Sequence, residues 1–150
     1  MRTFLLLAAL LLGSCASAPA SEVDPEILEV AQAFLDVIET RDTARGAELA
    51  IPGAMFVNVR MVDGKRVVRQ FNNEQWLRSL EQGEDQYLEE FTGTPTVLMG
   101  DDMAVLWSEY TFAIDGKLSH TGIDALQFVL TDDGWKIAGG TYSVVPTAEE

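Results

Sequence analysis

The sequence predicts one α+β domain in which N-terminal helices are followed by a strongly curved antiparallel sheet. Three observations predict this fold class. Apolar residues recur at helical spacing around residue 30, the period shortens to two residues from residue 54, and Asp-Gly pairs separate long β segments in the last third of the chain. With 150 residues, 47% of them hydrophobic, the chain is too short for two ordinary domains and too apolar for a disordered one.

The first helix is predicted to begin at Asp24-Pro25-Glu26, where a capping aspartate precedes proline at the first helical position. Its apolar stripe extends to about residue 40 and consists of Ile27, Leu28, Ala31, Phe34, Leu35 and Ile38. A second, short helix is predicted over residues 43–50, before Pro52-Gly53.

A hairpin and a third helix follow. Residues 55–62 are rich in β-forming side chains, Asp63-Gly64 is a turn signal, and Val67-Val68 resumes the strand. Asn72 and Gln75 have the spacing of a capping box, so the third helix is expected to continue to about Glu81.

The remaining sheet is predicted from three long β segments. Residues 96–99 lead through a turn at Gly100 into residues 103–114, and segments 117–130 and 135–145 follow Asp115-Gly116 and Asp133-Gly134. These segments are longer than the usual strand of about three to ten residues, which favours strong curvature.

The first residues predict export. Arg2 precedes an apolar run too short to span a bilayer, and the run ends in Leu12-Gly13-Ser14-Cys15, which resembles the bacterial lipobox, cut before an acylated cysteine. This divides the chain into a signal peptide (1–14), a tether (15–23) and a folded domain (24–150). The expected location is the periplasmic side of the cell envelope, as an outer-membrane lipoprotein held only by lipid on Cys15. The alternative is a soluble periplasmic protein cut before Ser21.

Composition excludes several function classes. The net charge of −14 argues against binding nucleic acid. One cysteine and one histidine exclude an intramolecular disulfide, cysteine-rich zinc sites and multi-histidine metal sites. No nucleotide-binding glycine loop or nucleophile elbow is present, so no cofactor and no metal are expected.

Local motifs carry a family resemblance over about residues 25–145. They are Phe56-Val57-Asn58-Val59, Asp63-Gly64-Lys65, Trp107-Ser108-Glu109-Tyr110-Thr111-Phe112, Ser119-His120-Thr121-Gly122-Ile123-Asp124 and Asp133-Gly134-Trp135-Lys136-Ile137. In these motifs and in element order, the chain resembles the nuclear transport factor 2-like superfamily, in its bacterial lumazine-binding type branch. The resemblance implies a cystatin-like α+β cone with an apolar pocket at its open end. Members include isomerases, cyclases and dehydratases, whereas others only bind ligands, and pairing through the sheets implies a homodimer.

Two ionisable residues share one face of the predicted strand 117–130. His120 and Asp124 alternate there with Gly122, Leu126 and Phe128, and about 13 Å of strand separates them, too far for a direct dyad. Asp124 is a candidate general base, with Tyr110 or His120 donating a hydrogen bond. The alternative is structural: Asp124 bonds to backbone or Tyr110, and His120 lies at a rim.

The candidate ligand-binding residues are Tyr110, Phe112, Leu126, Phe128 and Arg60. Arg60 is expected to pair with a ligand anion, to pair with Asp124 or to face solvent. The tryptophans, Trp76, Trp107 and Trp135, are interpreted as core or interface residues, and the acids from Glu81 to Glu90, Glu89 included, as a solvated face.

The turn at Asp115-Gly116 decides the cross-strand partners. A two-residue loop would place Asp124 opposite Trp107 and His120 opposite Thr111. A three-residue loop with a bulge would place Asp124 opposite Leu106 and His120 opposite Tyr110. The second is favoured because it gathers one apolar face: Leu106, Tyr110, Phe112, Leu118, Leu126 and Phe128.

The expected function is binding of a small apolar or aromatic ligand. The alternatives are an isomerase, cyclase or dehydratase that uses Asp124 as base, and a dimeric envelope accessory protein without a ligand.

Overall fold

The structure is a computed structural model that describes residues 23–147. The predicted signal peptide, Cys15 and most of the predicted tether lie outside the described residues. Within them, no helix is long and apolar enough to cross a membrane. The elements are α1 Pro25–Thr40, α2 Thr43–Leu49, β1 Ala50–Val62, β2 Lys65–Asn72, α3 Asn73–Gln82, β3 Tyr87–Met99, β4 Met103–Ile114, β5 Lys117–Thr131 and β6 Gly134–Pro146.

The helices form where local capping predicted them. The Asp24 side chain accepts from the Glu26 N–H to begin α1, and α1 ends where Arg41 adopts a left-handed conformation and donates its N–H to Val37. Asn72 and Gln75 form a reciprocal capping box at α3. The predictions of α1 and α3 are confirmed, whereas α2 ends one residue early because Ala50 is already extended.

A curved six-stranded sheet in the order β2-β1-β6-β5-β4-β3 packs against the helices. The α+β fold class is confirmed, but the sheet is mixed, because β1 and β6 pair in parallel. The core lies between the sheet and the apolar face of α1, from which Ile27, Ala31 and Val37 are almost fully buried. Burial of such side chains is the main stabilising contribution in a domain of this size.

Strand β3 begins at Tyr87, nine residues before the predicted segment that starts at Thr96. Tyr87, Glu89 and Phe91 alternate at two-residue spacing and are less exposed than their neighbours, and the register shifts near Gly93, which has a φ of 81°. The interpretation of residues 81–90 as one solvated face is therefore wrong for Glu89. Because Glu89 is charged like its exposed neighbours, the two-residue alternation of β3 could not be recognised in the sequence.

Both predicted registers of the β4–β5 hairpin are wrong. Asp115 and Gly116 form a two-residue turn with φ values of 50° and 75°, and Ser119 is then an extra residue on β5. His120 therefore pairs with Phe112, and Asp124 pairs with Ser108. The favoured register differs from the observed one by two residues. A shift of two residues keeps the same side chains on the inner face of the sheet, except for Leu118, which is half exposed.

Gly122 on β5 lies opposite the buried Tyr110 of β4. A Cβ at this position would overlap the carbonyl oxygen of Ser143 and the ring of Tyr110. Glycine is therefore required here by close packing, and the missing side chain lets the Tyr110 ring lie against the strand.

Candidate functional site

A cavity of about 510 Å³ lies between the inner face of the sheet, α1 and α3. Four aromatic side chains stack along its wall: Phe34 lies 4.5 Å from Trp76 and 5.5 Å from Phe56, and Phe56 lies 6.0 Å from Phe71, all between ring centroids. The polar lining residues are Asn58, Arg60, Glu89, Ser119, His120, Asp124 and Tyr142. The cavity thus combines a flat apolar wall with a small group of polar side chains, as ligand sites do.

Glu89 and Asp124 form a pair of acids in this cavity. Asp124 is only 5% exposed, and its carboxyl group lies within hydrogen-bonding reach of that of Glu89, so the two can share a proton when one of them is protonated. Burial raises the pKa of Asp124 to about 7. Burial, and then the charge of Asp124, raises the pKa of Glu89 well above its ordinary value. At neutral pH we therefore assign the shared proton to Glu89, which leaves Asp124 the better proton acceptor.

Three polar atoms of cavity-lining residues are buried without a hydrogen-bonding partner within residues 23–147: Asp124 Oδ2, Asn58 Oδ1 and Arg60 Nε. Asp124 Oδ2 lacks a partner only while Glu89 is ionised, because a protonated Glu89 can donate a hydrogen bond to Asp124. Buried polar atoms in folded proteins are nearly always satisfied. These atoms therefore mark where a ligand or water completes the cavity.

Tyr142 lies between Asn58 and Asp124 on the neighbouring strands. Its hydroxyl oxygen accepts a hydrogen bond of 3.1 Å from Asn58 Nδ2, and the structure shows no acceptor for its own proton in residues 23–147. Burial is the largest influence on its pKa, which is raised, so the hydroxyl stays protonated at neutral pH. Tyr142 can therefore donate into the cavity beside Asp124.

His120 also lines the cavity and stacks on Phe112, with ring centroids 4.6 Å apart. Its Nδ1 lies 3.2 Å from Ser119 Oγ. Burial, and then the charge of Arg60, lowers its pKa, so the ring is neutral at pH 7. Within the described chain no hydrogen bond joins His120 to Asp124.

The predicted ligand-binding residues divide into two groups. Arg60, Phe112 and Leu126 line the cavity, as do the candidate catalytic residues. Tyr110 and Phe128 lie on the same sheet face but in the packed core, where each is 1% exposed. The Tyr110 hydroxyl donates to the carbonyl oxygen of Ser143 at 2.8 Å, so its proton is already used, and it is not bonded to Asp124.

The tryptophans occupy three different environments. Trp76 is partly buried in the cavity wall, and Trp135 lies in the core and donates its Nε1–H to Asp24 at 3.1 Å. Trp107 lies on the outer face and is 55% exposed.

Comparison with known proteins identifies the fold. No protein-family model matches the sequence, and no curated protein matches it. Among solved structures, a nuclear transport factor 2-like superfamily protein from Salmonella enterica matches with a TM-score of 0.64 and 17% identity, over 83% of this chain and 92% of that one. This chain has a nuclear transport factor 2-like fold.

Two further structures give the same result. A Streptomyces avermitilis protein of the nuclear transport factor 2-like family, to which dehydratase activity is ascribed, has a TM-score of 0.60 and 19% identity, covering 82% of this chain and 96% of that one. A Nostoc punctiforme protein described as having a cystatin-like fold has a TM-score of 0.61 and 11% identity, covering 82% and 91%. At these identities the likeness concerns the fold alone.

In this nuclear transport factor 2-like fold, sequence reasoning missed Glu89, Tyr142 and Asn58. Their signal was weak but present. Glu89 alternates with Tyr87 and Phe91, and Asn58 precedes Arg60 by two residues, which places it on the same strand face. Tyr142 lies opposite Asp124 only because the β5–β6 register shifts near Gln127, and it lies beside Asn58 only through the parallel pairing of β1 with β6.

Proposed function

We propose that this chain is an exported, lipid-anchored protein that binds a small molecule with an apolar or aromatic body in its cavity. The observation that carries the proposal is the pair of unpartnered buried polar atoms, Asn58 Oδ1 and Arg60 Nε, beside the stacked aromatic wall. Contact with the wall would supply most of the affinity, and the polar atoms would fix the orientation of the ligand.

Native mass spectrometry of the protein purified from the cells that make it would test this proposal. Val144→Phe fills part of the cavity, and Val145→Phe makes the same change at a neighbour that is 58% exposed and does not line the cavity. We expect a bound small molecule on the wild type and on Val145→Phe, and its loss from Val144→Phe. An empty wild type contradicts ligand binding, and a mass retained by Val144→Phe contradicts this cavity as the site.

A second candidate function is acid–base catalysis of the isomerase, cyclase or dehydratase type. The buried Glu89–Asp124 pair favours it, because a carboxylate with a pKa of about 7 can accept a proton and later return it near neutral pH. Asp124 would take a proton next to a carbonyl group, and the Tyr142 hydroxyl would donate to the oxygen that gains charge.

Asp124→Asn tests this second candidate with whatever ligand co-purifies. We expect turnover to fall about 10²-fold to 10⁴-fold while the melting temperature changes little. A large loss of stability with no effect on turnover would instead assign Asp124 a structural role.

The lipid anchor is part of the proposal and needs its own test. Mass spectrometry of the N-terminal peptide of the mature protein should find an acylated Cys15 in the membrane fraction. A soluble chain that begins at Ser21 would overturn the anchor. Membership of the lumazine-binding type branch stays a prediction from the sequence motifs.

Pairing of two copies is also a proposal. Trp107 and Leu98, which are 55% and 70% exposed on the outer sheet face, support a homodimer. Light scattering of the wild type should give twice the monomer mass, and Trp107→Glu should lower it. A monomer at working concentration contradicts the pairing.

A further inference from the structure

Arg60 is a cation in the cavity without a protein counterion. It lies on the inner face of β1, its Nε is buried without an acceptor, and the one ion pair within residues 23–147 is Arg45 with Glu48, on the surface. Arg60 as a whole is partly exposed, but leaving its buried Nε–H without an acceptor is costly. This cost is notable in a chain with 24 acidic residues, because acceptors are abundant elsewhere.

The strand registers order the polar groups along the depth of the cavity. Asp124, Tyr142 and Asn58 face one another across β5, β6 and β1 and form one layer. Arg60 lies two residues further along β1, opposite Val144, which corresponds to about 6.6 Å along the strand.

The same registers identify the open end of the cavity. His120 pairs with Pro146 beyond the Arg60 position, and Val62 and Pro146, which both border the cavity, are exposed. In the opposite direction, Leu126 and Phe56 flank Gly140 next to the aromatic wall. From the inside outward, the cavity is therefore apolar, then neutral or acidic, then cationic.

Other charges in the cavity leave Arg60 available. His120 is neutral at pH 7, and Arg60 is the one permanent cation among the described lining residues. Within residues 23–147 neither Glu89 nor Asp124 forms an ion pair with Arg60. A single free guanidinium is matched by one negative charge, and its planar donors suit a carboxylate in particular.

We infer that the ligand is a carboxylate whose anion pairs with Arg60 near the open end, while its apolar body lies against the aromatic wall. A hydrogen-bonding group between the two would lie at the Asp124–Tyr142 layer, about 6.6 Å from the anion. This inference rests on the proposed function and names the chemical class of its ligand.

Three matched pairs of probes test it by titration calorimetry: 3-phenylpropanoate, 4-oxo-4-phenylbutanoate and 5-oxo-5-phenylpentanoate, each against its primary amide. Acid and amide have nearly the same shape and differ in charge. We expect the wild-type protein to bind at least one acid about tenfold or more tightly than its amide. Arg60→Gln should reduce that ratio to near one while still binding the amide.

Arg69→Gln is the matched control, because Arg69 is exposed, lies on β2 of the same hairpin and does not line the cavity. It should keep the wild-type ratio. Equal binding of acids and amides by the wild type, or an unchanged ratio in Arg60→Gln, would overturn this inference and leave the proposed function standing. Failure of all six probes to bind would overturn both.

Discussion

Glu89 on β3 and Asp124 on β5 line the same cavity and shift each other's pKa, although β4 lies between their strands. Curvature of the sheet brings both side chains into one cavity, and Gly122 leaves β5 without a side chain between Asp124 and His120. Two acids that share one proton act as a single titrating unit, so changes to either residue affect both.

The first prediction concerns the titration of the pair. Because burial raises the pKa of Asp124 to about 7, its carboxyl carbon should titrate in ¹³C NMR with an apparent midpoint near that pH. Glu89 lowers the pKa of Asp124 by donating to its carboxylate, so Glu89→Leu, which removes the donor, should raise the midpoint further. Glu90→Leu, at an exposed neighbour, should leave it unchanged. A wild-type midpoint near 4 contradicts the buried pair.

The second prediction concerns stability as a function of pH. Folding raises the pKa of both acids, so the unfolded chain loses these protons at lower pH than the folded chain does. For Asp124 the stabilisation is complete below about pH 4 and is lost as pH rises through about 7. Because Glu89→Gln removes one of the two titrating acids, this variant should lose less stability than wild type between pH 4 and 8. Urea unfolding of both proteins at several pH values measures the free energy of unfolding. The same dependence on pH in wild type and Glu89→Gln would contradict the prediction.

The third prediction separates the two buried tyrosines. Tyr110→Phe removes the hydrogen bond to Ser143 and should lower the free energy of unfolding by about 1–2 kcal/mol, with ligand binding unchanged. Tyr142→Phe removes a hydroxyl that borders the cavity and should weaken binding of the co-purified ligand. Urea unfolding and calorimetry on both variants test the assignment, and weaker binding by Tyr110→Phe alone would reverse it.

The fourth prediction concerns Gly122. Gly122→Ala should cost about 2–4 kcal/mol, because the added methyl group overlaps a backbone oxygen and the Tyr110 ring. Gly100→Ala is a suitable control, since the nearest atoms to its Cβ are 3.6 Å away. Thermal unfolding compares the two, and a similar small loss in both would show that β5 can shift to make room.

Sequence reasoning succeeded where structure depends on neighbouring residues. The caps at Asp24 and Asn72 and the turn at Asp115-Gly116 are local signals, and the elements they predict are present. The parallel pairing of β1 with β6 joins segments more than seventy residues apart, and no local pattern encodes it.

The site was predicted less completely for the same reason. His120, Asp124 and Arg60 could be placed on strand faces, but their partners depend on strand order and on the extra residue Ser119. Glu89 could not be separated from its charged neighbours until β3 was known to begin at Tyr87.

The position of β6 has a consequence for how the chain reaches its native state. Because β6 lies between β1 and β5, a chain synthesised only as far as Thr131 can form the β1–β2 hairpin and the β3–β4–β5 meander but cannot join them. As the last of the six sheet strands in chain order, β6 therefore completes both the sheet and the cavity wall that carries Tyr142. The sheet is therefore expected to close only after β6 has been synthesised, and a chain that lacks β6 should have neither a complete sheet nor a complete cavity.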